Sequence, residues 1–249
     1  RRLSSAASDV YKRQLMVFLC SCVTTKTALK DFNNAEYYNA ASKFQKVIKE
    51  GDSNNSFLLA EALRKSNRLW QAQKYYADAI KNGYKEEIAY YYLALSLKSN
   101  NAYDQADSLI SHYLSKGNDE SIIKLMRQEL LYINNLRKYP DTSYYRVKNL
   151  EAINTEFAEY SPSFSNDKLF FVSNRLSEKI YSGTGTPFTD LYEVKTRGAN
   201  VDLNSLKKLD DNINNEKVNS GSITFSEDGM YMIFLLYTSD AADDSLRVD

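Results

Sequence analysis

The sequence predicts an α+β multidomain chain: a repeating helical array followed by a repeating antiparallel β structure. Three observations predict it. From about Leu29 to Leu136 the apolar residues recur at helical spacing. Inside that stretch Ala40, Ala72 and Ala106 follow one another at intervals of about 34 residues. Beyond Pro140 the apolar period becomes alternating, and Phe164-Ser165-Asn166-Asp167 recurs as Phe225-Ser226-Glu227-Asp228.

In the helical half, each of the three alanines is followed four residues later by a large side chain, Phe44, Tyr76 or Ile110. Gly51, Gly83 and Gly117 follow their alanines at one constant interval, where a left-handed C-terminal cap is expected. That period, with a small-x-x-x-aromatic second helix, is the tetratricopeptide pattern. Tyr90-x-x-Leu93-Ala94-x-x-Leu97 stands where that family has its first-helix signature. The family's proline at the end of each repeat is missing, and the second unit keeps only Ala60 and Leu63 of the signature. The small residues suit close helix crossings, and Tyr76, Leu93 and Leu97 are expected between neighbouring units. The segment from Glu120 is expected to form a further helix ending before Pro140, which sets an α-solenoid over residues 23–139. Such a solenoid binds partners on the face lined by the first helix of each pair. By position that face comprises Phe57, Glu61 and Arg64, then Tyr91, Leu95 and Lys98. The single histidine, His112, falls on a second helix and is expected to serve surface or packing.

In the second half, Ile153-Asn154 aligns with Ile213-Asn214, and an apolar strand follows each Phe-Ser-x-Asp turn: Leu169–Val172 and Met230–Phe234. Asp190-Leu191-Tyr192-Glu193-Val194 alternates as a third strand, and a fourth is expected near Leu206. Four antiparallel strands per repeat describe a propeller blade. Asp167 and Asp228 suit the turn because their side chains accept bonds from turn backbone, and Gly229 supplies positive φ. Phe164 and Phe225 mark the start of each turn. The stretch SPSFSNDKLFFVSNR resembles the TolB-type, WD40-like propeller repeat, with Lys168 in place of the usual glycine. Residues 140–234 are therefore expected to form an incomplete β-propeller of about one to two blades, with open sheet edges.

The two ends differ from the body of the chain. The apolar run LMVFLCSC is too short to span a bilayer and suits the end of a signal-peptide core over residues 15–22. Leu19-Cys20-Ser21-Cys22 resembles a bacterial lipobox. Cys22 is the expected lipid acceptor, because cleavage before Cys20 would put bulky Leu19 where a small residue is required. The DNA GAT GTG TAT AAG AGA CAG can encode Asp9–Gln14. Its reverse complement, one frame shifted, encodes Cys-Leu-Leu-Tyr-Thr-Ser, against Phe234–Ser239 here. Residues 1–14 and 235–249 thus resemble the translated adapter of a sequencing library, and the last native strand is expected to run into it.

The composition excludes several classes. The chain carries 32 basic and 32 acidic residues, interspersed, whereas a nucleic-acid-binding domain concentrates basic charge on one face. Two cysteines one residue apart, Cys20 and Cys22, and one histidine supply neither a disulfide framework nor a Cys/His metal site, and no cofactor is expected. Gly183-Thr184-Gly185-Thr186 lacks the helix and lysine of a phosphate-binding loop. No Gly-x-Ser-x-Gly elbow is present, so no catalytic residue is assigned.

Lipobox, tetratricopeptide helices and WD40-like repeats, in that order, resemble PorE-like outer-membrane lipoproteins of the OmpA family in Bacteroidetes. The resemblance implies a non-catalytic scaffold on the periplasmic face of the outer membrane. Its partners would be envelope proteins and, through a further C-terminal OmpA-like domain, peptidoglycan; a role in type IX secretion is also implied. Two alternatives remain. A propeller-gated serine peptidase would need a hydrolase domain beyond Phe234, and a nutrient-binding lipoprotein of the SusD type would also join a lipobox to tetratricopeptide helices.

Overall fold

The computed structural model describes residues 23–139, 149–175, 177–198 and 200–237. Cys20, Cys22 and nearly all of both adapter-like tails lie outside the described residues. The chain divides into two compact units between Ile133 and Asn134.

Among the described residues, seven helices precede the strands: α1 (Thr25–Asn33), α2 (Tyr37–Val47), α3 (Ser53–Lys65), α4 (Leu69–Lys81), α5 (Ile88–Ser99), α6 (Tyr103–Lys116) and α7 (Glu120–Lys138). Local chemistry starts them. Thr24 and Thr27 form a reciprocal capping box at α1, and Asp52 accepts the Asn55 N–H at 3.0 Å at α3. Asp119 accepts from the Ser121 and Ile122 N–H groups at the start of α7. From α1 to α6 each helix packs on the next in sequence, as in an array of helix pairs.

Equivalent positions carry equivalent packing. Ala28, Ala60 and Ala94 in the first helices, and Ala40, Ala72 and Ala106 in the second, are all fully buried. Their missing side chains let helix backbones approach, and Phe44, Tyr76 and Ile110 fill the adjoining space, also fully buried. Burying each such large side chain contributes about 1.5–3 kcal/mol. Leu93, Leu97, Met126 and Ile133 continue the same core.

Backbone geometry repeats at the same period. The first helix of each pair ends through a left-handed residue, Ala35, Asn67 and Asn101, with φ of 59°, 60° and 58°. In each case the next residue's N–H returns to a carbonyl five residues earlier: Glu36 to Asp31, Arg68 to Leu63 and Ala102 to Leu97, at 2.8–2.9 Å. These are Schellman closures, in which a left-handed residue satisfies the last carbonyls of a helix. The glycine series is less regular than the sequence predicts. Gly51 and Gly83 have φ of +81°, but Gly117 has φ −71° and ψ 150°, an extended conformation. The Tyr113 ring lies where a Gly117 Cβ would stand, 2.5 Å from its ideal position, so close approach is what requires glycine there.

The second unit begins with a four-stranded antiparallel sheet ordered β1 (Glu159–Ser165), β2 (Lys168–Ser173), β3 (Asp190–Arg197), β4 (Asn200–Lys208). A separate hairpin follows, β5 (Asn219–Phe225) with β6 (Met232–Tyr237). The strands fall near the places read from the sequence, except that the last, expected over Met230–Phe234, begins at Met232 and continues to Tyr237. In the β1–β2 turn Asn166 and Asp167 both have positive φ, 48° and 57°, the geometry of a two-residue hairpin that matches strand twist.

The first sheet is covered on both faces, which explains the unbroken apolar run of β2. Leu169, Phe171, Tyr192 and Val194 pack with Ile153 on one face. On the other, Phe170, Val172 and Leu191 pack with Ile223 of β5, joined by Ile213, Phe225, Met232 and Phe234. The two hairpins are related, since each has a register shift before its turn, between Tyr160 and Ser163 and between Ser220 and Ile223. Aligning the two shifts pairs Phe164 with Thr224 and leaves Phe225 one position further on, so the two phenylalanines do not play the same part. Phe164 is 67% exposed, whereas Phe225 packs on Phe170 with ring centroids 4.6 Å apart. A one-residue offset along a strand moves a side chain to the opposite face.

Candidate functional site

The six side chains expected to line the face of the helical array occupy matching positions on α3 and α5, one repeat apart: Phe57 with Tyr91, Glu61 with Leu95, and Arg64 with Lys98. They do not have equal access. Glu61 is buried, 6% exposed, accepting from Arg64 Nε at 2.9 Å, from Arg64 Nη2 at 2.6 Å and from the Tyr76 hydroxyl. Its carboxylate is therefore committed within the protein. Phe57 is half-buried, stacked on Tyr84 at 4.2 Å and edge-on to Tyr76 at 5.9 Å.

Arg64 leaves this pocket to cover the Tyr92 ring of α5, 4.1 Å from its centroid. Tyr91, half-buried, lies beside Tyr92 at 5.5 Å, and Leu95 is half-buried one turn on. Lys98 then pairs with Glu129 of α7 and lies 5.6 Å over the Tyr132 ring. The result is a continuous strip across α3, α5 and α7. Repeat position alone does not point to Tyr92, Glu129 or Tyr132, nor to the bond from the Tyr76 hydroxyl. Tyr92 sits next to Tyr91, but its partner Arg64 is on a different helix pair and no local pattern signals the contact.

Electrostatics follow from burial and pairing. The hydrogen bond to Glu61 raises the Arg64 pKa, outweighing the opposite effect of burial. Burial, then the neighbouring Glu61, pushes the Tyr76 phenol well above its ordinary range. Tyr91 is raised by burial and by the charge of Glu129. The Tyr76 hydroxyl donates to Glu61, and both named cations carry an internal carboxylate partner. The strip thus offers ring faces and paired charges rather than a bare cationic or anionic cluster. Among the described residues no group of three or more His, Cys, Asp or Glu is placed to hold a metal ion. His112 is exposed on α6.

In the β unit the turn residues act as local structure. Asp228 Oδ1 accepts the Met230 N–H at 3.0 Å and the Ser226 hydroxyl at 2.5 Å, and Gly229 has φ +68°. Asp167 differs: it contributes its positive φ and a carbonyl that accepts the Thr196 N–H at 2.7 Å. A Cβ on Gly229 would stand 2.9 Å from Asn166 Nδ2, so the two turns lie side by side.

Two buried polar residues organise the sheets. Arg175, 7% exposed, bonds Glu159 Oε1 at 2.9 Å, the Ile153 carbonyl at 2.6 Å and Ser173 Oγ at 3.0 Å, with Phe171 and Tyr192 rings against its guanidinium. Burial alone would raise the Glu159 pKa, but hydrogen bonds from Thr155 and Ser173 and the charge of Arg175 hold it below the usual carboxylate range. Asn214, 2% exposed, accepts the Leu191 N–H at 2.7 Å and donates to the Leu191 and Leu209 carbonyls at 3.0 and 2.9 Å. It fastens the lead-in to β5 onto β3. Its sequence counterpart Asn154 is exposed, and its side chain bonds Asn149.

No protein-family model matches the chain, and no curated protein matches it in sequence.

Proposed function

We propose that this chain is a non-catalytic, lipid-anchored scaffold of the bacterial cell envelope, built from tetratricopeptide-type helix pairs and WD40-like propeller blades. Cys22 would carry the lipid that holds it to the periplasmic face of the outer membrane. The helical strip and the β unit would engage envelope proteins. Attachment to peptidoglycan through an OmpA-like domain, and service in type IX secretion, extend the same resemblance.

One observation carries the binding role: Phe57 and Arg64 recur one repeat on as Tyr91 and Lys98 and, with Leu95, Tyr92 and Tyr132, join into one strip across three helices. Packing alone explains Glu61, which is buried, but it does not require aromatic side chains to remain partly open along successive first helices.

The test places a photoreactive amino acid at Leu95 in the lipidated protein in cells, with His112 as the control site. A specific adduct with an envelope protein at position 95, absent at 112, is the expected result. Equal labelling at both sites, or none at 95, overturns the reading. The anchor is tested separately: Cys22→Ala should move the protein from the membrane to the soluble fraction, and unchanged partition removes the lipoprotein assignment. Two acyl-type signals are generally needed for stable anchoring, at about 0.8 kcal/mol per buried methylene.

A further inference from the structure

Trp70 is the one tryptophan of the chain, and at the start of α4 it is 57% exposed. At the same position of the preceding helix pair, Tyr38 is 40% exposed near the start of α2. Among the described residues of α1–α6, no other large hydrophobic side chain is exposed. The two exposed aromatics stand at equivalent positions of successive helix pairs, each at the start of a second helix.

The surroundings tie the two rings together. The Arg68 guanidinium, two residues before Trp70, lies over the Tyr38 ring at 4.7 Å and is held there by Ser66 Oγ at 2.8–3.0 Å. On the other side, Asn100 Nδ2, just beyond α5, donates to the Trp70 carbonyl at 2.9 Å and to Gln73 Oε1 at 2.7 Å. Tyr38, Arg68, Trp70, Gln73 and Asn100 therefore form a strip across three successive helix pairs. It runs along the edge of the array where first helices turn into second ones, through residues other than those of the α3–α5–α7 strip.

The chemistry of this edge is specific. Two exposed rings flank Arg68, the amides of Gln73 and Asn100 lie together beyond Trp70, and no other exposed large hydrophobic side chain of α1–α6 joins them. A protein hot spot needs such a centre, ringed by contacts that exclude water. A sugar ring, by contrast, presents a flat C–H face to an aromatic ring and hydroxyls to amides, which both donate and accept. We propose that this edge binds an extended neutral polysaccharide strand. Sugar faces stack on Trp70 and Tyr38, and hydroxyls bond Gln73 Nε2 and Asn100 Oδ1, the ends of the two amides not used in the bonds of Asn100 Nδ2 to Gln73 Oε1, the Trp70 carbonyl and the Ser96 carbonyl. Arg68 acts as a positioning residue that fixes the Tyr38 ring.

Because Trp70 is the only tryptophan, its fluorescence reports the site directly in the full chain. Titration with cellohexaose or chitohexaose is expected to give a saturable change that added salt does not abolish, since no charge pairing is involved. Tyr38→Ala keeps the reporter and should weaken binding by roughly fivefold or more, the scale of one lost aromatic contact. Calorimetry on Trp70→Phe, which retains a ring, should show weaker but measurable binding, with unchanged far-ultraviolet dichroism confirming the fold. No saturable response to either hexaose overturns the proposal, as does undiminished affinity in Tyr38→Ala. A response to free glucose equal to that of the hexaoses removes the extended strand. A response to a proline-rich peptide alone assigns the strip to a protein partner instead.

Discussion

The helical and β units are both repetitive, yet equivalent residues behave differently in them. In the helices, Ala72 and Ala106 stand one repeat apart and are equally buried, as are Tyr76 and Ile110. In the sheets, Asn154 is exposed while Asn214 is buried and hydrogen-bonded, and Phe164 is exposed while Phe225 packs on its neighbour. The difference follows from what each repeat needs. A helix pair buries most of its apolar stripe against itself and the next pair, so successive units see similar surroundings. A sheet buries apolar side chains on both of its faces, so a residue's environment depends on what flanks each face.

The largest expected effect lies in the β unit. Arg175→Ala removes a guanidinium that serves Glu159, Ser173 and the Ile153 carbonyl in a buried site. Leaving the Glu159 charge without its partner should cost about 3–5 kcal/mol. Urea unfolding followed by hydrogen exchange of β1–β3 peptides checks this; a loss below about 1 kcal/mol would show that the cluster is dispensable.

Repeat equivalence in the helices predicts a smaller, matched pair of effects. Ala72→Leu and Ala106→Leu each push a larger side chain into a close helix crossing, at about 1–3 kcal/mol. The two losses should agree within about 0.5 kcal/mol, as measured by chemical denaturation. A clear inequality would mean that the crossings are not equivalent.

The smallest effect is pH-dependent. Glu159 is held below its ordinary pKa in the folded chain, so its contribution is fully present above the unfolded value of about 4.3 and is lost as pH falls through the lower folded value. The slope of stability against pH in that acid window should flatten in Glu159→Gln. An unchanged slope would remove Glu159 as a source of acid sensitivity.

Much of this fold is legible in the sequence because its signals are local and repeated. The alanines mark helix crossings, Gly83 marks a cap, and the Asn-Asp dipeptide after Ser165 marks a tight hairpin. Ala35 as a left-handed cap is not legible, since alanine there has no intrinsic preference for positive φ; the Schellman bonds from Glu36 and Ala35 hold it. Gly117 is legible as special, but for the wrong reason, because its constraint comes from the Tyr113 ring. The face residues on α3 and α5 follow from the period. Their partners Tyr76, Tyr92 and Glu129 lie on other helices, and only the packing brings them together. Neither the burial of Glu61 nor that of Arg175 follows from residue type, since charged side chains are seldom buried unless paired.

The most direct test of the comparison is the urea stability of Asn154→Ala measured beside that of Asn214→Ala. Their sequence surroundings match, but only Asn214 bonds the Leu191 and Leu209 backbone in a buried site. Asn214→Ala should lose about 1–3 kcal/mol, the cost of leaving buried backbone groups without partners. Asn154→Ala should stay within about 0.5 kcal/mol of the parent, as an exposed substitution does. Equal losses in the two variants would contradict the claim that sheet repeats, unlike helix repeats, take their character from the sheets beside them.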